Sequence, residues 1–121
     1  MNKNGANEKK EENNRLADKP ISELVNEWEN LISELSSKEI ALYNAKEAYQ
    51  IASDKIIEET DFKEIYGRNN AEIRKNHVKT ELYEDYNEIK ELEFSIQYII
   101  NRIQLIKEIV KLNNTIMALA K

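Results

Sequence analysis

Apolar residues recur every seventh position through two long stretches of the chain. In the first stretch these positions are Ile21, Trp28, Leu35, Leu42, Tyr49 and Ile56. In the second stretch they are Leu82, Ile89, Ile96, Ile103, Val110 and Met117. This spacing lines one side of a helix with apolar side chains and is typical of coiled coils. The pattern predicts an all-α fold with helix 1 at about residues 20–60 and helix 2 at about residues 70–120.

The segment between the two helices, residues 61–69, is called the elbow below. It holds Gly67, the only glycine after residue 5. Asp61 followed by Glu64 fits a capping box, which predicts one short helical turn over residues 62–66. Gly67 is suited to end that turn in a left-handed conformation. An alternative reading is that helix 1 continues to residue 66 and that only residues 67–70 form a loop.

Local signals also mark where both long helices begin. Asp18 can cap helix 1, and Pro20 suits its first turn because that turn does not need the missing N–H. Asn69 followed by Glu72 is a second capping box, which should open helix 2.

Two long helices joined by a short connection pack antiparallel. Residues 18–121 are therefore predicted to form a single domain, a long antiparallel helical hairpin of the coiled-coil type. A fold about residue 65 would place Lys38 opposite Glu93 and Lys46 opposite Asp85. These pairs of opposite charge support the register, since a wrong one would bury a charge against apolar side chains.

Residues 1–17 are rich in Asn, Lys and Glu, and Leu16 is their one large apolar residue. Such a segment buries too little surface to offset its ordering entropy, so we expect a disordered polar tail. It also lacks the apolar core of a secretory signal. We therefore expect a cytoplasmic protein without a membrane partner.

Helix 2 carries a second apolar stripe away from its heptad seam. A helix with two apolar sides needs a second partner, so we expect a homodimer in a four-helix arrangement. The alternative is a monomer whose stripe binds a different protein. The predicted dimer interface consists of Phe94, Tyr98, Leu105, Ile109, Leu112, Ile116 and Met117.

The sequence offers little for catalysis. It has no cysteine, and His77 is its only histidine. Glu72 and Glu81 lie about one turn on either side of His77, but a metal site needs more ligands, so a surface histidine is predicted. The serines lack a base that would activate them. We expect no enzyme activity, no metal and no cofactor.

Charge is distributed unevenly along the chain, which carries a net charge of −5. Residues 20–61 hold three basic and ten acidic residues, whereas residues 62–79 hold five basic and two acidic ones. Nucleic acid binding along the whole acidic length is therefore excluded, and any such contact is expected at the basic segment. The candidate elbow site consists of Lys63, Tyr66, Arg68, Asn69, Asn70, Arg74, Lys75, His77 and Lys79.

That site has an alternative structural interpretation. Asn69 and Glu72 would only cap helix 2, Phe62 and Ile65 would close the open end of the coiled coil, and the bases would balance the acidic helices.

The elbow also resembles a pattern in small coiled-coil proteins of phages and prophages of Gram-positive bacteria. The matching positions are Thr60, Phe62, Lys63, Gly67, Asn70, Arg74 and Val78, followed by a long helix rich in Glu, Lys, Leu and Ile. Genes for such proteins often lie near recombination functions. The resemblance implies a phage context and a role in DNA metabolism, including inhibition of a host nuclease of the Gam-like kind. It supplies no catalytic residue.

Three hypotheses for function follow. The first is a non-enzymatic phage protein in the host cytoplasm that binds and inhibits a host nuclease or, in an anti-CRISPR-like manner, a defence complex, with its acidic helices mimicking DNA. The second is an accessory protein of phage recombination that binds nucleic acid at the elbow. The third is a structural spacer or assembly protein.

Overall fold

A computed structural model describes residues 16–120, and every regular element in that range is helical. The prediction of an all-α fold is confirmed. Residues 16–18 are helical and come before the main elements. These are α1 (Ile21–Glu59), α2 (Phe62–Tyr66), α3 (Ala71–Glu81) and α4 (Tyr83–Leu119).

The start of α1 is fixed by Pro20. Its carbonyl accepts hydrogen bonds from the N–H of Glu23 at 3.0 Å and of Leu24 at 3.1 Å. Proline fits here because the first turn leaves its N–H positions without acceptors inside the helix. No glycine or proline follows until the elbow, so α1 continues to Glu59.

The one-turn helix α2 has the ends that its sequence predicts. The Asp61 carboxylate accepts from the N–H of Glu64 at 3.2 Å. Gly67 takes a left-handed conformation with φ 70° and ψ −1°, and its N–H donates to the carbonyl of Lys63. The predicted short turn is confirmed. The alternative, with helix 1 continuing to residue 66, is wrong because α1 and α2 are separate helices.

The predicted cap of helix 2 is wrong by one residue. Asn70, with φ −119° and ψ 169°, accepts from the N–H of Ile73 through its side chain at 2.9 Å. Asn69 instead accepts a hydrogen bond from Arg74 Nη1 at 2.8 Å. Asn69 and Asn70 are both residue types that cap helices, and both lie just before the first turn of α3. Asn70 is the cap because its backbone is extended, as a capping residue requires.

Helix 2 is also not continuous as predicted. Leu82 separates α3 from α4 with φ −107° and ψ 37°, outside the helical range. Helical hydrogen bonds to the fourth preceding residue still flank the break, from Leu82 to Val78 and from Tyr86 to Leu82, both at 2.8 Å. Neither glycine nor proline lies near this position. Periodicity alone therefore gives no sign of the interruption.

The described residues form two compact units, and the first combines residues 16–36 with residues 97–120. Its core is a cluster of buried leucine and isoleucine side chains that includes the predicted heptad position Ile103: Leu24, Leu31, Ile99, Ile103 and Ile106. Leu16 belongs to the same cluster and is fully buried. The prediction of a tail over residues 1–17 is therefore wrong for Leu16, because this apolar side chain finds a core to enter. Residues 1–15 lie outside the described part of the chain.

The second unit, Ser37–Ile96, contains the elbow. Its buried apolar residues are Phe62, Val78 and Ile89. Lys46 Nζ lies 3.9 Å from Glu93, and Glu93 also lies 3.7 Å from Lys90. The predicted pairs Lys38 with Glu93 and Lys46 with Asp85 are therefore replaced. The predicted register assumed that helix 2 is uninterrupted, and helix 2 is instead broken at Leu82.

Candidate binding elbow

Three aromatic side chains hold α2 against α3. The buried Phe62 ring meets the His77 ring edge-on, with 5.3 Å between centroids. Tyr66 is 5.6 Å from the same ring and stacks on Phe62 at 6.2 Å. Phe62 and Tyr66 can both reach His77 because residues four apart share one side of a helix. The prediction of a surface histidine is wrong, since the His77 side chain is only 15% exposed.

His77 also makes a polar contact at each ring nitrogen. Its Nδ1 lies 2.5 Å from the Tyr66 hydroxyl, and its Nε2 lies 4.0 Å from the Glu81 carboxylate. With the proton on Nε2, the Tyr66 O–H donates to Nδ1 and the Nε2–H faces Glu81. The histidine thus links α2 to α3, and the elbow is fixed by side chains as well as by its caps.

Some of the predicted elbow residues contact other side chains or cap a helix, and others are exposed. Arg74 is bonded to Asn69, and Asn70 caps α3. Lys79 Nζ lies 4.5 Å from the centroid of the Tyr86 ring, a cation–π distance. The predicted bases Lys63, Arg68 and Lys75 are exposed. The basic charge of this segment is therefore only partly available to a partner.

Tyr86 is the centre of a second aromatic group in the same unit. Lys90 Nζ also lies over its ring, at 5.3 Å, and the Tyr49 ring is 6.4 Å away. Burial raises the pKa of the Tyr49 hydroxyl, and the nearby Tyr86 and Asp85 raise that pKa further. Lys79 and Lys90 thus pack against the Tyr86 ring within the second unit.

The exposed tip of the elbow is formed by Ile65, Tyr66 and Arg68. Ile65 is 60% exposed and Tyr66 is 46% exposed, and Arg68 follows directly after Gly67. In the structural interpretation of the elbow, Phe62 and Ile65 would both close the end of a coiled coil. Phe62 is buried, but Ile65 is exposed. Sequence reasoning missed Ile65 as a surface residue because a single turn has no periodicity.

The predicted dimer interface divides in a similar way. Its exposed members, all on α4, are Phe94, Tyr98, Leu112, Ile116 and Met117. Leu105 and Ile109 are instead half-buried against the core of the first unit. The first unit covers part of these two side chains, and the rest of their surface is accessible.

Between residues 16 and 120, no three His, Cys, Asp or Glu side chains come close enough to hold a metal ion. No helix in that range has the length and apolar character needed to cross a membrane. Neither a protein-family profile, nor a curated protein, nor a solved structure matches this chain.

Proposed function

We propose that this is a non-enzymatic protein that acts by binding another protein, with the elbow tip as the contact. The observation that carries the proposal is the exposure of Ile65 and Tyr66 beside Arg68 on a fixed turn. The turn is held by the left-handed Gly67 and by the bond from Tyr66 to His77. Because the tip is already ordered, binding would cost little additional conformational entropy.

The composition of the tip favours a protein over a nucleic acid. Tyrosine and arginine are enriched among the residues that dominate protein interfaces, and an exposed isoleucine can fill an apolar pocket. A nucleic acid backbone is bound chiefly by cations. Two of the five bases in this segment, Arg74 and Lys79, already contact Asn69 and Tyr86.

The exposed basic side chains support a second candidate function, nucleic acid binding. Lys63, Arg68 and Lys75 have exposed side chains that could contact phosphates, which would suit an accessory protein of phage recombination. Salt-dependent gel retardation of single- or double-stranded DNA, abolished by Arg68→Ala with Arg74→Ala, would favour this candidate.

For the biological setting, we propose a phage or prophage protein that inhibits a host nuclease or defence complex. The resemblance at Thr60–Val78 supports the phage context. The acidic charge of this stretch supports occupation of a DNA-binding channel, since ten acidic residues lie between positions 20 and 61. Several of them are exposed along α1: Glu29, Glu34, Glu39, Glu47, Asp54 and Glu58. These carboxylates would present to a nuclease the negative charge by which its active channel attracts DNA.

For the architecture, we propose an antiparallel hairpin that forms a homodimer. Contacts in the first unit support the hairpin, because Glu27 near the start of α1 binds Arg102 in the second half of α4. The exposed apolar side chains of α4 support the dimer, and Phe94 is 79% exposed. A two-fold dimer would cover the same surface on both copies.

The binding proposal is tested by a matched pair of double variants. Ile65→Ala with Arg68→Ala removes the tip, whereas Ile51→Ala with Lys55→Ala removes an equally exposed isoleucine and lysine from α1. Each tagged protein is used for affinity purification from the natural host, with partners identified by mass spectrometry. We expect one host protein to be enriched by the wild type and the α1 variant and lost with the tip variant.

If the tip variant retains that partner, the elbow is not the contact. The inhibitor role is then checked separately, by adding the wild-type protein to the purified partner and measuring its nuclease activity.

A further inference from the structure

A groove lies between α1 and α3 within the second unit. Its volume is about 280 Å³. Each helix contributes residues spaced three or four apart, as expected for two facing sides of helices. The α1 side consists of Tyr49, Gln50, Ser53 and Ile57, and the α3 side consists of Ala71, Arg74, Lys75 and Val78.

The polar lining of this groove is suited to an anion. Arg74 and Lys75 provide two positive charges, and no carboxylate is among the lining residues. Arg74 gives one N–H to Asn69, which leaves other donors of its guanidinium group. Ala71 is the first residue of α3, where backbone N–H groups lack acceptors within the helix and the helix dipole is positive.

Ser53 provides an independent sign that the groove takes a ligand. The residue is only 9% exposed, yet its hydroxyl makes no hydrogen bond within the described part of the chain. No fully enclosed side-chain atom in that part lacks a partner, so the Ser53 hydroxyl must reach the groove surface. A hydroxyl that lines a groove and has no protein partner can donate a hydrogen bond to a ligand that enters the groove. The neighbouring Gln50 is already bonded to Asp54 at 2.8 Å.

We propose that this groove binds a phosphate group, with Lys75 and Arg74 supplying charge and Ser53 donating a hydrogen bond. Phosphate oxygens accept from all three, and charged donors give the strongest of these bonds. Ile57 and Val78 supply apolar parts of the lining. The site lies apart from the exposed tip, so it does not depend on the protein-binding function proposed above.

The test is a titration of the ¹⁵N-labelled full chain with inorganic phosphate, followed by NMR at constant ionic strength. We expect saturable shifts at the amides of Ser53, Ala71 and Lys75. Lys75→Ala should weaken binding about tenfold and Ser53→Ala about fivefold, as expected for one charged and one neutral hydrogen bond. Lys63→Ala is the matched control for the lysine.

Ser37→Ala is the control for the serine, because Ser37 is an exposed residue of the same helix. The proposal is overturned if sodium chloride at equal ionic strength causes the same shifts. It is also overturned if Ser53→Ala and Lys75→Ala bind phosphate as the wild type does.

Adenosine monophosphate and a short single-stranded oligodeoxynucleotide then identify the source of the phosphate. Tighter binding of the nucleotide indicates a small-molecule site, and tighter binding of only the oligonucleotide indicates a backbone contact. If neither one shifts the Ser53 amide, the groove does not accept a phosphate ester and the proposal fails.

Discussion

The hydroxyl of Tyr66 lies 2.5 Å from Nδ1 of His77, across eleven residues of sequence. The contact joins α2, a helix of five residues, to α3. So short a helix is not stable by itself, because nucleating a helix costs more than its few hydrogen bonds return. Its position therefore depends on Gly67, on the Asp61 cap and on this contact with His77.

Tyr66→Phe should lower the free energy of unfolding by about 1 kcal/mol, the typical contribution of a hydrogen bond. His77→Ala should cost more, about 2 kcal/mol, because it also removes the edge contact with Phe62. Urea unfolding measures both changes. Tyr43→Phe is the control, since Tyr43 is exposed and should lose almost nothing. Equal stability of Tyr66→Phe and the wild type would show that the hydrogen bond has no stabilising role.

Gly67→Ala should destabilise the protein by about 1–2 kcal/mol, because alanine is disfavoured in the left-handed conformation. The cost is confined to the backbone, since an added Cβ would meet nothing within 4 Å. Gly67→Asn should cost less, because asparagine tolerates this conformation better. Thermal unfolding of the two variants checks the order. If alanine and asparagine cost the same, strain at positive φ is not what selects glycine here.

Glu27 should make stability depend on pH. Burial raises its pKa, but hydrogen bonds and charge attraction from Arg102 and then Lys19 outweigh that effect, so the pKa lies below its ordinary value of 4.5. Arg102 Nε donates to Glu27 at 2.6 Å, and Lys19 Nζ donates at 3.3 Å. A carboxylate with a lowered pKa in the folded state stabilises the protein above its unfolded pKa. This stabilisation is lost as the pH falls through the folded pKa.

Glu27→Gln should therefore cost about 1–3 kcal/mol at neutral pH, the range for a hydrogen bond to a charged group. The difference between the variant and the wild type should shrink on acidification below the ordinary pKa of 4.5. Urea unfolding across that pH range measures it. Glu29→Gln, at an exposed position on the same helix, should leave the pH profile unchanged. A constant difference at every pH would contradict the role assigned to the Glu27 charge.

Leu16→Ala should lower the free energy of unfolding by about 2–5 kcal/mol, as expected for a fully buried leucine. Leu119→Ala is the matched control, because Leu119 is exposed and should have little effect. Thermal or urea unfolding compares the two. If both variants match the wild type, Leu16 does not belong to the core of the first unit.

The proposed dimer should have twice the mass of the chain by light scattering. Phe94→Glu with Ile116→Glu should yield the monomer mass, because both apolar side chains are exposed in the single chain and would become charged at the interface. Circular dichroism confirms that the variant keeps its helices. A wild-type chain at monomer mass would refute the dimer, and a dimeric variant would place the interface elsewhere.

The positions of the helices could be predicted from the sequence because the signals are local. The heptad spacing selects Ile89 and Ile103 for the core, and both are buried. The Asp61 cap and the left-handed Gly67 follow from residues within one turn of each other. Each of these features depends on neighbours at most seven positions away, so the sequence alone determined them.

Only the tertiary structure decided the features that depend on distant residues. His77 looks like a surface histidine until the Phe62 and Tyr66 rings pack against it. Leu16 lies in a polar segment, but it enters a core to which Ile99, Ile103 and Ile106, more than eighty positions away, contribute. The break at Leu82 follows no local breaker. Packing against remote side chains sets the surroundings of His77 and Leu16. A repeat along one helix does not show which remote side chains that helix will contact.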